Sequence, residues 1–569
     1  MNNRRTMWCI MVVLLAVPIL LPAQELRLTP YSGAGSLYLN QQIAADTVAN
    51  GKLPNRVYVL QRGALYLSNA VFTNTGNWTL RLKANDSSTT KKPVIMLHPT
   101  GTGTTPWNPP GNLFQLNGSL ELKNLAITGY YELVDTNRWN MQGALINVPA
   151  TISGVKITID SCILSNSNGN HVRTDGVPSV VKFTNNVFAN MGYLGRSNLG
   201  AGKVIDLRAV SCDSLIIVNN TFVNWLDRIV RHYPASGTAT STGTLNYFLF
   251  DHNTLVNGTS YHGMLSLGSV GSKVIITNNF LFDPFIMGND SDISRQAEFI
   301  PSGELDKFGK ARMNWIFSYP NTTTSWMVAN NFYTISDSGQ AFYNQFAAQG
   351  VTGEGSPLTW HINSRLGADS VNAFKKVTVA LTKVPATMTQ LARWYRADNG
   401  GKKGKNTPGA WVYGQATDPN DFDRKGYAWL RDDLNCTYPT SASIYTGGTG
   451  SYPVGDLNWF AARKAAWLAN PPSAVEAIDA VPTTFSLAQN YPNPFNPSTT
   501  FEFSISKSSH VVLEVFNILA QSVATLVNEA MIPGTYRMDF NASHLSSGVY
   551  LYRLKAGDFV QTKRMVLMK

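Results

Sequence analysis

Phe183-Thr-Asn-Asn-Val-Phe-Ala-Asn190 is followed by Ile217-Val-Asn-Asn-Thr-Phe-Val-Asn224, then by Phe250-Asp-His-Asn-Thr-Leu-Val-Asn257 and Ile276-Thr-Asn-Asn-Phe-Leu-Phe-Asp283. Weaker copies start at Leu67, Leu122, Ile159 and Val328, so successive starts are 55, 37, 24, 34, 33, 26 and 52 residues apart. The long first and last steps are each close to two short ones. Self-similarity with a period of about 20–50 residues marks a solenoid, a propeller or another array.

The columns of the phrase choose among these. Its first slot always holds Leu, Ile, Phe or Val, and its sixth holds Phe72, Ile127, Leu164, Phe188, Phe222, Leu255, Leu281 or Tyr333. Both columns must face a shared core. The third slot reads Asn69, Asn124, Ser161, Asn185, Asn219, His252, Asn278 and Asn330. Asn tolerates the left-handed backbone region and hydrogen-bonds its own turn, so this column predicts a tight corner between two short strands. The fourth slot mixes Asn186, Asn220, Asn253, Asn279 and Asn331 with Ala70, Leu125 and Cys162. A slot that takes both amides and apolar groups faces inward, where stacked amides satisfy one another from coil to coil. A propeller blade needs four strands in roughly 40–45 residues, and steps of 24 and 26 residues are too short for that. The pattern therefore predicts a right-handed parallel β-helix of about nine or ten coils, a rod on the order of 45 Å long.

Open solenoid ends expose strand edges and need covers. Ser36 to Asp46, with Ser36 as cap and Leu37, Leu39 and Ile43 apolar, predicts a short helix closing the N-terminal end. Trp459 to Leu468 predicts a second helix closing the other, just before Pro471 and Pro472.

The whole chain has 569 residues, of which 44% are hydrophobic and only 14% charged. The usual charged share is roughly 25%, so charge-driven disorder and coiled coils are excluded. A net charge of +11 is spread thinly, with Lys402, Lys403 and Lys405 its densest run. Nucleic acid is excluded as a partner on that basis, and a polyanionic sugar polymer is retained. Arg4 and Arg5 precede an apolar run, Met7 to Leu21, too short for a membrane span and followed by Ala23. Residues 1–23 read as a secretory signal peptide, leaving an exported mature chain without a membrane span. Cleavage there leaves Cys162, Cys212 and Cys436, an odd number read as buried free thiols rather than a disulfide framework.

After Pro471, Pro472 and Pro482 the texture changes. Phe501, Phe503, Ile505, Val511, Leu513 and Val515 alternate, and strand candidates surround Gly534-Thr-Tyr536 and Gly548-Val-Tyr550. This reads as a small Ig-like antiparallel β-sandwich. The fold class is thus all-β, a β-helix followed by a sandwich. The expected division is 1–23 signal peptide, 24–470 β-helix with end caps, 471–485 linker and 486–569 sandwich.

Candidate chemistry lies on strands near the Asn phrases. His171-Val-Arg-Thr-Asp175, Val204-Ile-Asp-Leu-Arg208 and Asp227-Arg-Ile-Val-Arg-His232 alternate apolar with charged residues. Period-2 alternation puts Asp206 and Arg208 on one face, and stacking would line Arg173, Arg208 and Arg228 or Arg231 along a lateral groove with His171 and His232 nearby. Arginine's planar fork pairs bidentately with a uronate carboxylate. An Arg or His in such a site can take the α-proton for β-elimination. Arg208, Arg231 and His232 are the catalytic candidates; Arg173, Asp206, Arg228, Trp225 and Tyr233 are the substrate-binding ones. Trp139, Tyr193, Tyr247 and Tyr261 are further rings for stacking on sugars. Calcium is the one cofactor the reading admits, and it would require several carboxylates in one place. Asp160, Asp175, Asp206, Asp227 and Asp251 fall on different coils. Ile286–Thr324 is the largest charged insertion, suited to roofing the groove. The same charges also fit a solvated flank of a non-catalytic surface adhesin or structural rod.

The stacked phrases resemble the pectate-lyase-like superfamily of β-helices over roughly residues 30–470. That resemblance rests on repeat pattern and coil length, which many non-enzymes share, so it implies the fold and carries over no lyase mechanism. An exported protein that binds or cleaves an acidic polysaccharide is the expectation drawn from the candidate arginine groove. Phe250-Asp251-His252 is similar to an Asp-His signature of pectate lyases, without the Trp that accompanies it, and their Arg-x-Pro-x-x-Arg motif is absent. Gly450 to Phe460 resembles the closing segment of exported bacterial β-helix proteins. Tyr491-Pro-Asn-Pro-Phe-Asn-Pro-Ser498, Gly534-x-Tyr536, Leu545-x-x-Gly548-x-Tyr550 and Lys563-Arg564 with Lys569 resemble the type A C-terminal sorting domain of the type IX secretion system. This implies the secretion machinery as a partner and delivery to the cell surface or medium.

Overall fold

The computed structural model describes residues 24–98 (less 75, 77 and 88), 111–129, 143–192 (less 168), 200–232 (less 209), 243–288, 315–316, 324–349, 373–389, 392, 393, 396, 434–469 and 484–568 (less 507, 508, 532 and 533). The expected signal peptide lies outside them.

Three parallel sheets of ten, ten and eight strands, here A, B and C, build the first part of the chain. One coil runs Ser153–Asp160 in A, Ile163–Ser167 in B and Asn170–Thr174 in C. The next coil starts at Val177–Thr184, parallel to Ser153–Asp160. Each coil therefore adds one strand to each sheet, which is a parallel β-helix. Its interior is one continuous core, including Leu122, Ile159, Phe183, Phe188, Ile217, Phe222, Phe250, Leu255 and Leu281. The sixth slot faces it as expected, and so does the first from Leu122 onward, whereas Leu67 lies on a strand of sheet B and is not part of this core.

The corner column also holds. Asn124, Ser161, Asn185, Asn219, His252, Asn278 and Asn330 all have φ between 49° and 61°. Asn69 departs from the column and instead accepts a hydrogen bond from Asn40 of the N-terminal helix (2.9 Å). The fourth slot is a ladder of buried amides. Asn186 Nδ2 donates to Asn220 Oδ1 (2.9 Å), Asn220 to Asn253 (3.1 Å), Asn253 to Asn279 (3.0 Å) and Asn279 to Asn331 (2.8 Å). Cys162 heads it, its N–H donating to Asn186 Oδ1 (2.8 Å). A second ladder occupies the eighth slot, where Asn166, Asn190, Asn224 and Asn257 have φ of 57–65°. Their amides link at 2.8, 3.1 and 2.7 Å. Cys162, Cys212 and Cys436 are free and buried.

Helix α1, Leu39–Asn50, covers the first coil with Leu39 and Ile43. Its cap lies two residues later than expected. Tyr38 is its N-cap, with Gln41 Oε1 accepting from the Tyr38 N–H (3.0 Å), while Ser36 pairs with Ser32 (2.9 Å). Helix α2 is Asp337–Gln345 and α3 is Ala461–Ala469.

The expected role of α3 as an end cover is corrected. The segment leading to it lies lengthwise across the corner column. Thr449 N–H donates to Asn278 Oδ1 (2.9 Å), Leu457 N–H to Asn219 Oδ1 (3.2 Å), and Lys464 Nζ to Asn185 Oδ1 (2.7 Å). Gly455 (φ 91°) crosses so closely that a Cβ there would stand 2.5 Å from Thr254 Oγ1. Asp456, buried in this contact, accepts from Thr221 Oγ1 (2.7 Å) and from Asn458 N–H (2.9 Å). Outward corner amides need partners, and this strap supplies them over several coils.

Residues 484–568 form an antiparallel sandwich. One sheet pairs Ser486–Leu487, Ser498–Ile505 and Gly534–Asn541; the other pairs Ser522–Met531, Ser509–Phe516, Gly548–Ala556 and Phe559–Leu567. Phe501, Phe503, Leu513, Val515, Tyr552 and Leu554 fill its core.

Candidate functional site

Sheet C carries the charged residues singled out above. Its strands Asn170–Thr174, Lys203–Asp206, Arg228–His232 and Leu265–Leu267 are consecutive neighbours. Two rows cross them. Arg173 pairs in register with Asp206, Asp206 with Arg231, and Arg231 with Ser266. Asn170 pairs with Lys203, and Lys203 with Arg228. Val172, Ile205 and Val230, between the rows, belong to the rod's core.

The outermost part is a trio. Arg173 grips Asp175 with two hydrogen bonds, Nε at 2.9 Å and Nη2 at 3.1 Å. Arg208 Nε reaches the same carboxylate at 3.4 Å. All three side chains remain about a third exposed, at 37%, 31% and 30% for Arg173, Asp175 and Arg208. Hydrogen bonds to Asp175, outweighing partial burial, raise the Arg173 pKa. Arg208 sits in the turn after its strand (φ 47°), where its N–H donates to Asp206 Oδ1 (3.2 Å).

Behind the trio the charges are buried, which corrects the expectation that all of them line an open groove. Arg231 Nη1 pairs with Asp206 Oδ2 at 3.1 Å. Burial alone would raise the Asp206 pKa, but Arg231, Lys203 and Arg208 outweigh it and hold the carboxyl low. The other row centres on Asp227. Lys203 Nζ lies 2.9 Å from it, Arg228 Nε 3.3 Å and His262 Nδ1 2.7 Å. Arg228 Nη1 also donates to Ser266 Oγ (3.2 Å). Burial is again opposed, by Arg228, Lys203 and His262 in that order, and Asp227 stays ionised well below the usual carboxylate range. Such a group is stable only while its partners remain, since an isolated buried charge is costly.

Several expectations fail on geometry. His232 is fully buried and neutral, its pKa lowered to about 4 by burial. Its Nε2 donates to Val210 O (2.8 Å) and its Nδ1 accepts from the Gly268 N–H (3.2 Å). Both nitrogens are engaged by backbone, so the ring bridges two coils rather than serving as a base. His171 is also inside the rod, stacked on Phe188 with centroids 5.7 Å apart, its pKa lowered to about 3 by burial. Trp225 is a core residue whose Nε1 donates to Ser260 Oγ (2.9 Å), and Gly258 makes room for its ring. It has no face for a sugar. Tyr247 and Tyr261 are buried too. Tyr233, Trp139, Tyr193 and most of Ile286–Thr324 lie outside the described residues.

Lys203, His262 and Ser266 were not anticipated. The register of the two strands would have found Lys203, since it places two cations side by side and Asp227 immediately precedes the second. His262 lies in a stretch without the repeat and leaves no such signal. Among the described residues no group of three or more His, Cys, Asp and Glu could hold a metal ion, and the Asp carboxylates here are spent on cations. These residues do not fit a calcium site.

Residues 489–568 match the family of the secretion system C-terminal sorting domain. The sandwich is a sorting domain. It marks the protein for type IX export to the cell surface or extracellular space and implies contact with that secretion machinery. No curated protein matches the chain, and no solved structure does. Among the described residues no helix is long and apolar enough to cross a membrane.

Proposed function

We propose that the protein is an exported β-helix of the pectate-lyase-like type that binds an acidic polysaccharide along the flank marked by Arg173 and Arg208. The observation that carries this is the partly exposed trio: two guanidinium groups share the single carboxylate of Asp175. A uronate carboxylate would complete the charge balance, and arginine's fork suits it. Asp206, Arg231, Lys203, Asp227 and Arg228 act as the wall behind, fixing the strands that present the pair. The engaged nitrogens of His232 and the buried Arg231–Asp206 pair favour retention of the glycan over its cleavage. The rod spans residues 24–470, joined by a linker, 471–485, to the sorting domain at 486–569.

The test uses the purified full chain on columns of pectin, alginate and a neutral glycan, with release of unsaturated uronides followed by absorbance. Salt-sensitive retention on the acidic columns, lost in Arg173→Ala with Arg208→Ala, supports binding. Unsaturated product replaces it with lyase activity. No retention on any column leaves the non-catalytic structural rod.

A further inference from the structure

The sorting domain carries an apolar surface that its own fold does not use. In its four-stranded sheet Phe516 pairs with Leu551, and Leu551 with Arg564. Leu513, Val515, Tyr552 and Leu554 point into the core, so the alternate residues Phe516, Leu551 and Arg564 point outward. Val549, opposite Val566, continues that outward row toward the turn that follows Phe516. At this end of the sheet Ile518 is 75% exposed, Leu519 73%, Met568 57% and Val549 40%.

The turn is built to hold its two aliphatic side chains out. Asn517 Oδ1 accepts from the N–H of Leu519 and of Gln521, both at 3.0 Å, and Asn517 Nδ2 donates to Gln521 Oε1 (2.8 Å). Ala520 takes the left-handed conformation, φ 60°. Adjacent large aliphatics on a fixed turn, continuous with an outward apolar row, mark an interaction surface rather than scattered exposure. Charge borders it on one side: Arg553 lies over the Phe516 ring at 4.5 Å and pairs with Glu514 at 3.3 Å, and Arg564 stands beside Leu551.

We propose that Ile518, Leu519, Val549 and Met568, backed by Phe516 and Leu551, dock the sorting domain onto the secretion machinery, on an apolar surface bordered by carboxylates. The family match supplies the occupant, because a sorting domain must be received by that machinery, and Arg564, beyond the Arg553–Glu514 pair, sets the partner's charge.

The experiment follows the full chain in the producing bacterium and measures its distribution between periplasm, cell surface and medium. Ile518→Asp with Leu519→Asp, and the milder Ile518→Ser with Leu519→Ser, should each lower export by roughly tenfold or more. Val560→Asp, at an exposed site at the sheet's opposite end, should leave export unchanged. Resistance of the retained sorting domain to protease shows that it is folded; should the Asp pair unfold it, the Ser pair decides. Wild-type export of the folded double variants, while a chain lacking 484–569 is retained, overturns the proposal. Export of that truncated chain would instead overturn the sorting assignment. A loss of self-association without a change in export makes the surface a contact between copies and also overturns the proposal.

Discussion

Replacing Asn253 by Ala should be among the most damaging single changes in the rod. Its side chain is fully buried and makes four ladder contacts: Nδ2 donates to Ile217 O (2.9 Å) and Asn279 Oδ1 (3.0 Å), and Oδ1 accepts from Asn220 N–H (3.0 Å) and Nδ2 (3.1 Å). The partners do not suffer equally. Asn220 Nδ2 keeps Phe183 O and Val218 O, and Asn279 Oδ1 keeps the backbone N–H of residue 253. The Asn220 backbone N–H, however, is left in a dry interior without its acceptor. Stranding that donor costs about 1–3 kcal/mol, and the two lost Nδ2 bonds add about 1 kcal/mol each. The sum, about 3–5 kcal/mol, is a large part of a typical stability of about 5–15 kcal/mol. Urea unfolding of the purified chain measures it, and amide exchange at Asn220 locates it. Asn253→Leu separates the causes: it fills the volume but still strands the donor, so it too should be strongly destabilising. A loss under about 1 kcal/mol in the Ala variant, or near-complete recovery in the Leu variant, would refute the argument that hydrogen bonding sustains the ladder.

Three further expectations concern charge. Asp227→Ala strands Lys203, Arg228 and His262 in a buried site and should cost about 3–5 kcal/mol in a denaturation curve, whereas Arg173→Ala, at a partly exposed pair, should cost under about 1 kcal/mol. Asp456 is raised to about 6 by burial, against the opposing hydrogen bonds of Asn458 and Thr221 and the charge of Lys464. Its folded-state pKa exceeds the unfolded one, so its contribution is complete below the ordinary carboxylate value of 3.8 and is lost as pH rises through about 6. Protection of the strap amides should therefore fall across that window, and Asp456→Asn should flatten the fall. Asp206 and Asp227 are depressed instead, so their contributions are present above the ordinary carboxylate pKa and fail only in stronger acid, visible as acid unfolding that Asp227→Asn shifts upward in pH.

What could be read in the chain before its structure, and what could not, divides by whether a feature repeats. The corner column was legible because one backbone demand, a left-handed residue between two short strands, recurs from Asn124 to Asn330 and selects Asn at all but Ser161 and His252. The fourth-slot ladder was legible for the same reason, since each amide satisfies its neighbour's copy of itself. The eighth-slot ladder is equally present in the phrase but carries a weaker signal. There Asn ends the copies at Asn166, Asn190, Asn224 and Asn257, as at Asn74, while Gly129 and Asp283 interrupt it, and a terminal Asn alone does not say whether it faces inward. The charged rows were half legible. Strand alternation picked out Arg173, Asp206 and one of Arg228 and Arg231, which an ideal strand puts on opposite faces; both lie on the strand, and their depth depends on what covers them, which no period encodes.

The strap shows the other limit. Thr449, Leu457 and Lys464 bind corners at Asn278, Asn219 and Asn185, between 171 and 279 residues earlier. Local pattern predicted a helix at Trp459–Leu468 and found one at Ala461–Ala469, yet gave it the wrong place, because helix propensity carries no address. The corner Asn residues held the missing information. A column of outward amides at successive coils is a row of acceptors about 4.8 Å apart, and a segment rich in donors but poor in period is what such a row requires. The same logic bears on function. On sheet C two cations share one carboxylate twice: Lys203 and Arg228 share that of Asp227 in the buried site, and Arg173 and Arg208 share that of Asp175 at the surface. The second of these lies where solvent reaches, and it is there that an external carboxylate has something to neutralise.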